Sequence, residues 1–329
     1  MEKKAFNPPL LLKHPALQTV LASIALRKWG VNPMLQAAQH HIIDAGDGIR
    51  LSGFFSPVTG KPSRGLCILL HGWEGSSDST YILSCGRYLY KHGYDVFRLN
   101  YRDHGDSHHL NRGLFYATLL EEVYQAVRQA ARFSSNAPVY LVGFSLGGNF
   151  ALRIARRSLE NGTSPIKQII SISPVLDPDK ATDRIDGNPL LLAYFMKKWK
   201  QSLKRKQRLF PERYDFKDVL NKKTIREMTG LLLSRHTDYP DAKTYFRSYG
   251  IYGQDLADIQ IQTAIITAAD DPVIPVEDFH HLKTAPSIDL FIHTRGGHNG
   301  FVDSVQGPAW YDRFMLNKFE TLVAGRRIS

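Results

Sequence analysis

Short apolar runs alternate with longer segments of helical periodicity along most of the chain. The run at residues 66–70 is apolar throughout, as expected for a strand that is covered on both faces. The predicted strands are residues 39–44, 49–55, 66–70, 94–100, 139–142, 168–173, 261–267 and 288–293. The predicted helices that accompany them are residues 79–92, 114–133, 148–157 and 309–323. Strands that alternate with helices predict an α/β fold with a doubly wound, mostly parallel sheet.

The alternation stops between residues 177 and 253, where the pattern becomes helical, basic and aromatic. The predicted helices of this stretch are residues 190–206, 216–233 and 242–249. A helical block inside an α/β sequence indicates an insertion above the edge of the sheet. We therefore predict a helical cap of residues 177–253 on an α/β core of residues 37–176 and 254–329, preceded by an N-terminal helical arm of residues 1–36.

The composition bounds the class of protein. A chain of 329 residues that is 43% hydrophobic can bury a substantial core. No apolar run approaches the roughly 18 residues that span a bilayer, and Pro8 and Pro9 interrupt the region where a signal peptide is apolar. These features predict a cytoplasmic protein. Cys67 and Cys85 match no disulfide framework and no metal spacing, so we expect both to be buried as small hydrophobic residues.

The formal net charge is +11, and its densest segment is the basic run at residues 197–208, which follows the apolar residues 190–196. No zinc-finger spacing and no strong nucleic-acid-binding signature accompany this charge, so no nucleic-acid partner is expected. Two interpretations of the basic run stay open. It lets the cap rest on an anionic membrane as a peripheral contact, or it is the solvated face of a cap helix, which is the favoured interpretation.

The segment Gly143-Phe144-Ser145-Leu146-Gly147 follows the predicted strand at residues 139–142 and opens a predicted helix. A serine between two glycines on such a turn is typical of the nucleophile elbow of an α/β-hydrolase. The sharp turn lifts the serine hydroxyl above the sheet, and the glycines let neighbouring backbone approach closely. Ser145 is therefore the predicted nucleophile.

A nucleophilic serine needs an acid and a base, which follow in the order Ser, Asp or Glu, His in this fold. Asp270 and Asp271 come after the predicted strand at residues 261–267, and His298 comes after the strand at residues 288–293. His298 is expected to take the proton of Ser145 and return it to the leaving group, while the carboxylate holds the imidazole tautomer. Asp271 is favoured because acid-Pro-x-x-Pro resembles many hydrolases of this fold, and Asp270 is then expected to bond backbone and set the turn.

The oxyanion of an acyl-transfer reaction is stabilised by backbone N–H groups that are already aimed at it. One predicted donor is the amide of Leu146, at the positive end of its helix. The other is the amide of Trp73, in the loop after the strand at residues 66–70, where the His71 side chain is expected to brace the loop. His104, with the nearby His108 and His109, is interpreted as part of a solvated or active-site loop rather than a metal site. We predict no metal and no cofactor.

Five motifs together resemble the YheT-like branch of the α/β-hydrolase superfamily. They are residues 6–9, 14–19, 71–76, 102–107 and 143–149. The resemblance extends from the arm to Gly300-Phe301, and it implies an α/β-hydrolase fold and a serine esterase or lipase with Ser145, an aspartate and His298 as its triad. This branch is related to the abhydrolase-domain acylglycerol lipases and phospholipases. The loop at residues 102–106 and the basic cap depart from the common pattern, and these differences bear on the substrate.

The predicted function is carboxylic ester hydrolysis through an acyl-enzyme, with a small-molecule acyl ester as the substrate. The cap residues expected to line an acyl pocket are Leu191, Tyr194, Phe195 and Trp199. A thioesterase or an acyltransferase would use the same triad, and the fold also hosts non-catalytic ligand-binding proteins, so these alternatives stay open. The oligomeric state is not predicted.

Overall fold

A computed structural model of the chain describes residues 5–134, 136–160 and 164–325. Within these residues eight strands form one sheet in the order β1-β2-β4-β3-β5-β6-β7-β8. The strands are β1 Gln39–Asp44, β2 Arg50–Ser56, β3 Leu66–Leu70, β4 Asp95–Asn100, β5 Val139–Phe144, β6 Ile166–Ile172, β7 Gln262–Ala268 and β8 Ile288–His293. β2 pairs antiparallel with β1 and β4, and every pair from β4 to β8 is parallel. The predicted mostly parallel sheet is confirmed.

The helices of the described residues cover both faces of this sheet. They are α1 Pro15–Ser23, α2 Pro33–Gln36, α3 Thr80–Lys91, α4 Leu120–Ala131, α5 Leu146–Glu160, α6 Pro178–Asp186, α7 Pro189–Leu209, α8 Lys217–Leu220, α9 Ile225–His236, α10 Ala242–Ser248, α11 Glu277–His280 and α12 Trp310–Gly325. None of them combines the length and apolar character that crossing a membrane requires.

Side chains of β3 explain the two apolar layers. Successive residues of a strand point to opposite faces, so Ile68 packs in the layer that contains α4 and α5, whereas Leu69 packs in the layer that contains α3 and α12. Both layers exclude water from β3, which is why this strand is apolar at every position. Cys67 and Cys85 are buried free thiols in the second layer, as predicted.

Two predicted helices differ from the structure. The helix predicted at residues 114–133 begins only at Leu120, because the backbone at Ala117 is bonded elsewhere. Its N–H donates to the Tyr245 hydroxyl at 2.9 Å, and its carbonyl accepts from Arg153 at 2.8 Å. The helix predicted at residues 216–233 is divided into α8 and α9.

The break before α9 has a local and a tertiary cause. Thr224 and Glu227 form a capping box, in which each side chain accepts a backbone N–H of the other residue. Asp186, at the end of α6, accepts the N–H groups of Ile225 and Arg226 at 2.8 and 3.1 Å. These bonds satisfy the first amides of α9, and a helix continuing from α8 would have no need of them.

The five helices α6 to α10 lie between β6 and β7 and form what we call the insertion, residues 177–253. Its longest helix, α7, begins with Pro189 at the first position and with Asn188 as its N-cap. The Asn188 side chain accepts the N–H groups of Leu190 and Leu191. The proline and these bonds define the first turn of α7.

The N-terminal arm packs on the same face as α3 and α12. Phe6 contacts the rings of Phe301 and Trp310, with centroids 5.5 and 6.4 Å apart. Met34 is fully buried, and its sulfur lies 2.5 Å from the position that a Cβ at Gly86 would occupy. Phe6 and Met34 therefore anchor the described part of the arm in the core.

Candidate active site

Ser145 occupies the turn between β5 and α5. Its φ is +55°, a left-handed conformation that costs a non-glycine residue about 1–3 kcal/mol and is typical of functional sites. A Cβ at Gly143 would lie 2.1 Å from the Gly147 carbonyl oxygen, and a Cβ at Gly147 would lie 2.3 Å from the Leu70 carbonyl oxygen. Neither approach is possible for any other residue, so the two glycines are required by the geometry of the turn.

His298 lies between the serine and an aspartate. Its Nε2 is 2.9 Å from the Ser145 Oγ, and its Nδ1 is 2.9 Å from the Asp271 Oδ2. Because a carboxylate only accepts, Nδ1 carries the proton and Nε2 is left to accept the serine hydroxyl. The other oxygen of Asp271 accepts the N–H groups of Val273 and Ile274 at 2.8 and 2.9 Å. The buried carboxylate is therefore held by three donors.

Asp270 points to a different group. Its Oδ1 accepts the N–H of Gly297 at 2.9 Å, next to His298 in the chain. Burial raises the pKa of this carboxyl above its ordinary value, while the bond to Gly297 lowers it. The structure thus brings Asp271 against the imidazole and gives Asp270 a backbone contact in the loop that carries it.

The loop of residues 71–75 passes directly beside the nucleophile, since a Cβ at Gly72 would lie 3.2 Å from the Ser145 Cβ. Trp73 follows in this loop, and Leu146 begins α5 on the other side of the serine. Within the described part of the chain, neither the Trp73 nor the Leu146 amide donates a hydrogen bond to another protein group. Two backbone donors without a protein partner therefore lie next in the chain to Gly72 and to Ser145, and their role as oxyanion donors stays a prediction.

Three side chains from outside the insertion hold this loop, and two of them were not identified from the sequence. The predicted brace His71 donates from Nδ1 to the Gly72 carbonyl at 2.8 Å. Tyr81, on α3, accepts the Gly72 N–H at 2.9 Å. His104 donates from Nδ1 to the Arg102 carbonyl at 2.8 Å, so its Nε2 accepts the Glu74 N–H at 3.2 Å.

Burial explains why His104 serves as an acceptor. It lowers the pKa of this histidine to about 4, which keeps the ring neutral near pH 7 and its Nε2 lone pair available. The only sequence signal for this role was the position of His104 in the motif at residues 102–107. Among the described residues, no group of three or more His, Cys, Asp or Glu is arranged to hold a metal ion.

A cavity of about 920 Å³ opens over Ser145 and His298, between the core loops, α1 and the insertion. All four residues predicted to line an acyl pocket line this cavity: Leu191, Tyr194, Phe195 and Trp199. The Trp73 indole stacks on Phe195 at 5.3 Å and meets Trp199 edge-on at 5.1 Å. The apolar wall from the insertion therefore reaches the loop that carries the free Trp73 amide.

The basic run of α7 fastens the insertion to the core. Lys206 donates to the Asp103 carboxylate at 2.7 Å, Arg205 to Asp106 at 2.7 Å and Lys198 to the Glu74 carbonyl at 2.8 Å. Burial raises the pKa of Asp103 and lowers that of Lys206, so desolvation is the larger influence on both partners. Among the other cations of the run, those exposed to solvent are Lys197, Lys204 and Arg208. Contact with an anionic membrane stays a prediction.

We expect Lys206→Met to lower the free energy of unfolding by about 3–5 kcal/mol, because it leaves the buried Asp103 carboxylate without its cation. Urea unfolding followed by tryptophan fluorescence measures this change. The matched control is Lys204→Met on the exposed side of α7, with a change within about 0.5 kcal/mol. Equal midpoints for the two variants would show that the buried ion pair does not stabilise the fold.

Comparison with known proteins supports this description. A family model described as the alpha/beta hydrolase fold matches residues 66–223. YheT of Escherichia coli (strain K12), named as a candidate esterase, is 24% identical over 296 residues, which cover 87% of this chain and 84% of that protein. The embryogenesis-associated protein EMB8 of Picea glauca is 24% identical over 269 residues, which cover 78% of this chain but only 58% of the spruce protein.

Among solved structures, 2,6-dihydroxy-pseudo-oxynicotine hydrolase aligns with a TM-score of 0.59 at 19% identity, over 89% of this chain and 71% of that one. At this identity the match concerns the fold. The sheet order, the helices on both faces and the match at residues 66–223 agree on one architecture. The chain therefore has the α/β-hydrolase fold, and its sequence is similar to that of YheT over most of its length.

Proposed function

We propose that this chain is a serine hydrolase that cleaves carboxylic esters through an acyl-enzyme. The observation that carries the proposal is the continuous series Ser145, His298 and Asp271, joined by two contacts of 2.9 Å at the floor of a cavity. The same three roles, nucleophile, base and orienting carboxylate, recur in hydrolases of unrelated folds. The esterase name of YheT supports an ester as the bond that is cleaved.

In the acylation step, the Ser145 Oγ attacks the ester carbonyl carbon while the His298 Nε2 takes the hydroxyl proton. Asp271 accepts from Nδ1 and stabilises the imidazolium that forms. The negative charge on the former carbonyl oxygen is stabilised by the amides of Trp73 and Leu146. His298 then gives its proton to the alkoxy oxygen as the carbon–oxygen bond breaks, so an alcohol leaves and the acyl group stays on Ser145.

Deacylation repeats these steps with water. His298 takes a proton from the water molecule, the hydroxide attacks the acyl carbon, and the carboxylic acid leaves as Ser145 regains its proton. A thioester would follow the same course with a thiol as the first leaving group. An acyltransferase would differ in the second step, where an alcohol replaces water.

The walls of the cavity favour an acyl group of considerable apolar size. Its volume of about 920 Å³ lies near the upper end of the roughly 300–1,000 Å³ of small-molecule sites. Phe195 and Trp199 form one apolar wall with the Trp73 indole, beside the predicted oxyanion donor. An acyl chain on this wall would keep its carbonyl within reach of Ser145.

A series of p-nitrophenyl esters from acetate to dodecanoate tests the proposal. We expect kcat/KM to rise from acetate to octanoate, because each buried methylene group contributes about 0.8 kcal/mol. A fluorophosphonate probe should label Ser145 of the same preparation, as shown by peptide mass mapping. A flat profile near zero together with unlabelled Ser145 would reject ester hydrolysis. Saturable ester binding without turnover would instead support the non-catalytic alternative.

A further inference from the structure

The N-terminal arm contacts the loop that carries His298, although the matched family model begins only at residue 66. Thr19, on α1, accepts the backbone N–H of His298 on its Oγ1 at 2.9 Å. The same hydroxyl donates to the Pro15 carbonyl at 2.9 Å, which orients its lone pairs toward the loop. A residue 279 positions away in the sequence thus holds the backbone of the predicted general base.

Gln18, the neighbour of Thr19, makes a second connection to the same loop. Its side-chain amide donates to the Val302 carbonyl at 2.8 Å and accepts the Val302 N–H at 2.8 Å. The remaining N–H donates to the Leu12 carbonyl at 2.7 Å. Gln18 is fully buried, so these bonds have no competition from water.

The loop needs such support because its backbone is strained. Asn299 and Phe301 have φ values of +59° and +49°, and non-glycine residues in this region persist only where the surroundings hold them. The arm packs directly on the loop: a Cβ at Gly297 would lie 2.5 Å from the Pro15 carbonyl oxygen, and one at Gly300 would lie 2.7 Å from that of Gln18. Release of α1 would remove the packing contacts that hold the loop in this conformation.

The arm is also bonded to α3, the helix that follows the loop of residues 71–75. Thr80, at the start of α3, donates to the Ser23 carbonyl at 3.0 Å. Farther along, Arg87 donates to the Trp29 carbonyl at 2.8 Å, and Arg27 donates to Ser84 at 3.2 Å. The arm therefore contacts both α3, which follows the loop that carries Trp73, and the loop that carries His298.

We propose that α1 positions His298 for proton transfer, with Thr19 as a positioning residue and Gln18 as the anchor of the loop. This inference rests on the proposed ester hydrolysis. Thr19 is not a catalytic residue, since its hydroxyl bonds the backbone of His298 and not the imidazole. Its effect is on where Nε2 lies relative to the Ser145 Oγ.

The test compares Thr19→Val with Thr19→Ser and Thr321→Val. We expect Thr19→Val to lower kcat about 10-fold, because a displacement of about 1 Å in a catalytic group can cost roughly 100-fold. KM should change by less than about twofold, and fluorophosphonate labelling of Ser145 should slow in proportion to kcat. Thr19→Ser keeps the hydroxyl and should restore both rates.

Thr321 is the matched control because its Oγ1 donates to the carbonyl four residues earlier at 2.9 Å, as that of Thr19 does, but on an exposed part of α12. Thr321→Val should leave kcat unchanged. Hydrogen exchange of the peptide covering residues 296–302 gives a second measurement that does not need turnover, and Thr19→Val should accelerate it.

Unchanged kcat in Thr19→Val would overturn the positioning role even if exchange were faster, as would a loss that Thr19→Ser does not recover. Failure of the proposed function looks different. In that case the wild type neither hydrolyses esters nor labels at Ser145, whatever residue stands at position 19. An active wild type with an equally active Thr19→Val rejects the arm inference alone.

Discussion

Ser145→Ala is expected to lower kcat for ester hydrolysis by about 10⁴- to 10⁶-fold and to abolish fluorophosphonate labelling. The substitution removes the only atom that forms the acyl-enzyme, while the cavity and the two free amides stay in place. KM should therefore change much less than kcat. The rates are measured on the best ester of the chain-length series, together with the labelled fraction from intact-protein mass spectrometry.

The matched control is Ser158→Ala. Ser158 is a buried serine on the same helix, α5, and its hydroxyl donates to the Ile154 carbonyl at 2.8 Å, away from the cavity. It should keep full turnover and full labelling. If Ser145→Ala retained activity close to that of Ser158→Ala, the nucleophile would be another residue and the proposed mechanism would be wrong.

The second large effect concerns the two neighbouring aspartates. Asp271→Asn should lower kcat by about 10⁴-fold, because an amide in this position no longer favours the proton on Nδ1 of His298. Asp270→Asn keeps an oxygen that can accept the Gly297 N–H, so we expect a loss below about 10-fold, the effect of a weakened hydrogen bond. Steady-state kinetics at neutral pH separate the two variants.

Thermal unfolding of both variants provides the control for folding, since each substitution changes size very little. Similar midpoints would assign the difference in kcat to the orientation of His298. A loss in Asp270→Asn as large as that in Asp271→Asn would contradict the assignment of Asp271 as the partner of the imidazole. The matched pair therefore tests a choice that adjacent positions in the sequence leave open.

Much of the fold was predictable because burial on two faces imposes a simple pattern. β3 and β8 match the predicted bounds, since a parallel strand under helices is largely apolar and ends where the chain turns. The start of α9 was not predicted from the apolar pattern, although Thr224 and Glu227 have the spacing of a capping box. The first N–H groups of α9 donate to Asp186, which lies on another helix, and no sequence pattern near residue 224 indicates that contact.

In the candidate site, too, local patterns predicted some features, and contacts between distant segments set the others. The order serine, aspartate, histidine was predictable because Ser145, the pair Asp270-Asp271 and His298 each follow a parallel strand, and the carboxyl ends of such strands meet at one edge of the sheet. Hydrophobic pattern and motif spacing could not show that His104 accepts the Glu74 N–H, because that bond depends on two loops meeting. The basic run of α7 also gave no indication that Lys206 binds Asp103 and that Arg205 binds Asp106.

The sequence by itself determined the alternation of strands and helices, the elbow at Ser145 and the edge of the sheet where its partners lie. These features follow from local periodicity and from the turn that two glycines permit. Tertiary structure alone decided that Asp271 rather than Asp270 contacts His298. It also decided that Thr19 holds the loop that carries His298. Side-chain direction in a loop, and contacts between segments far apart in the chain, are set by packing and hydrogen bonding in the folded protein, for which no local pattern exists.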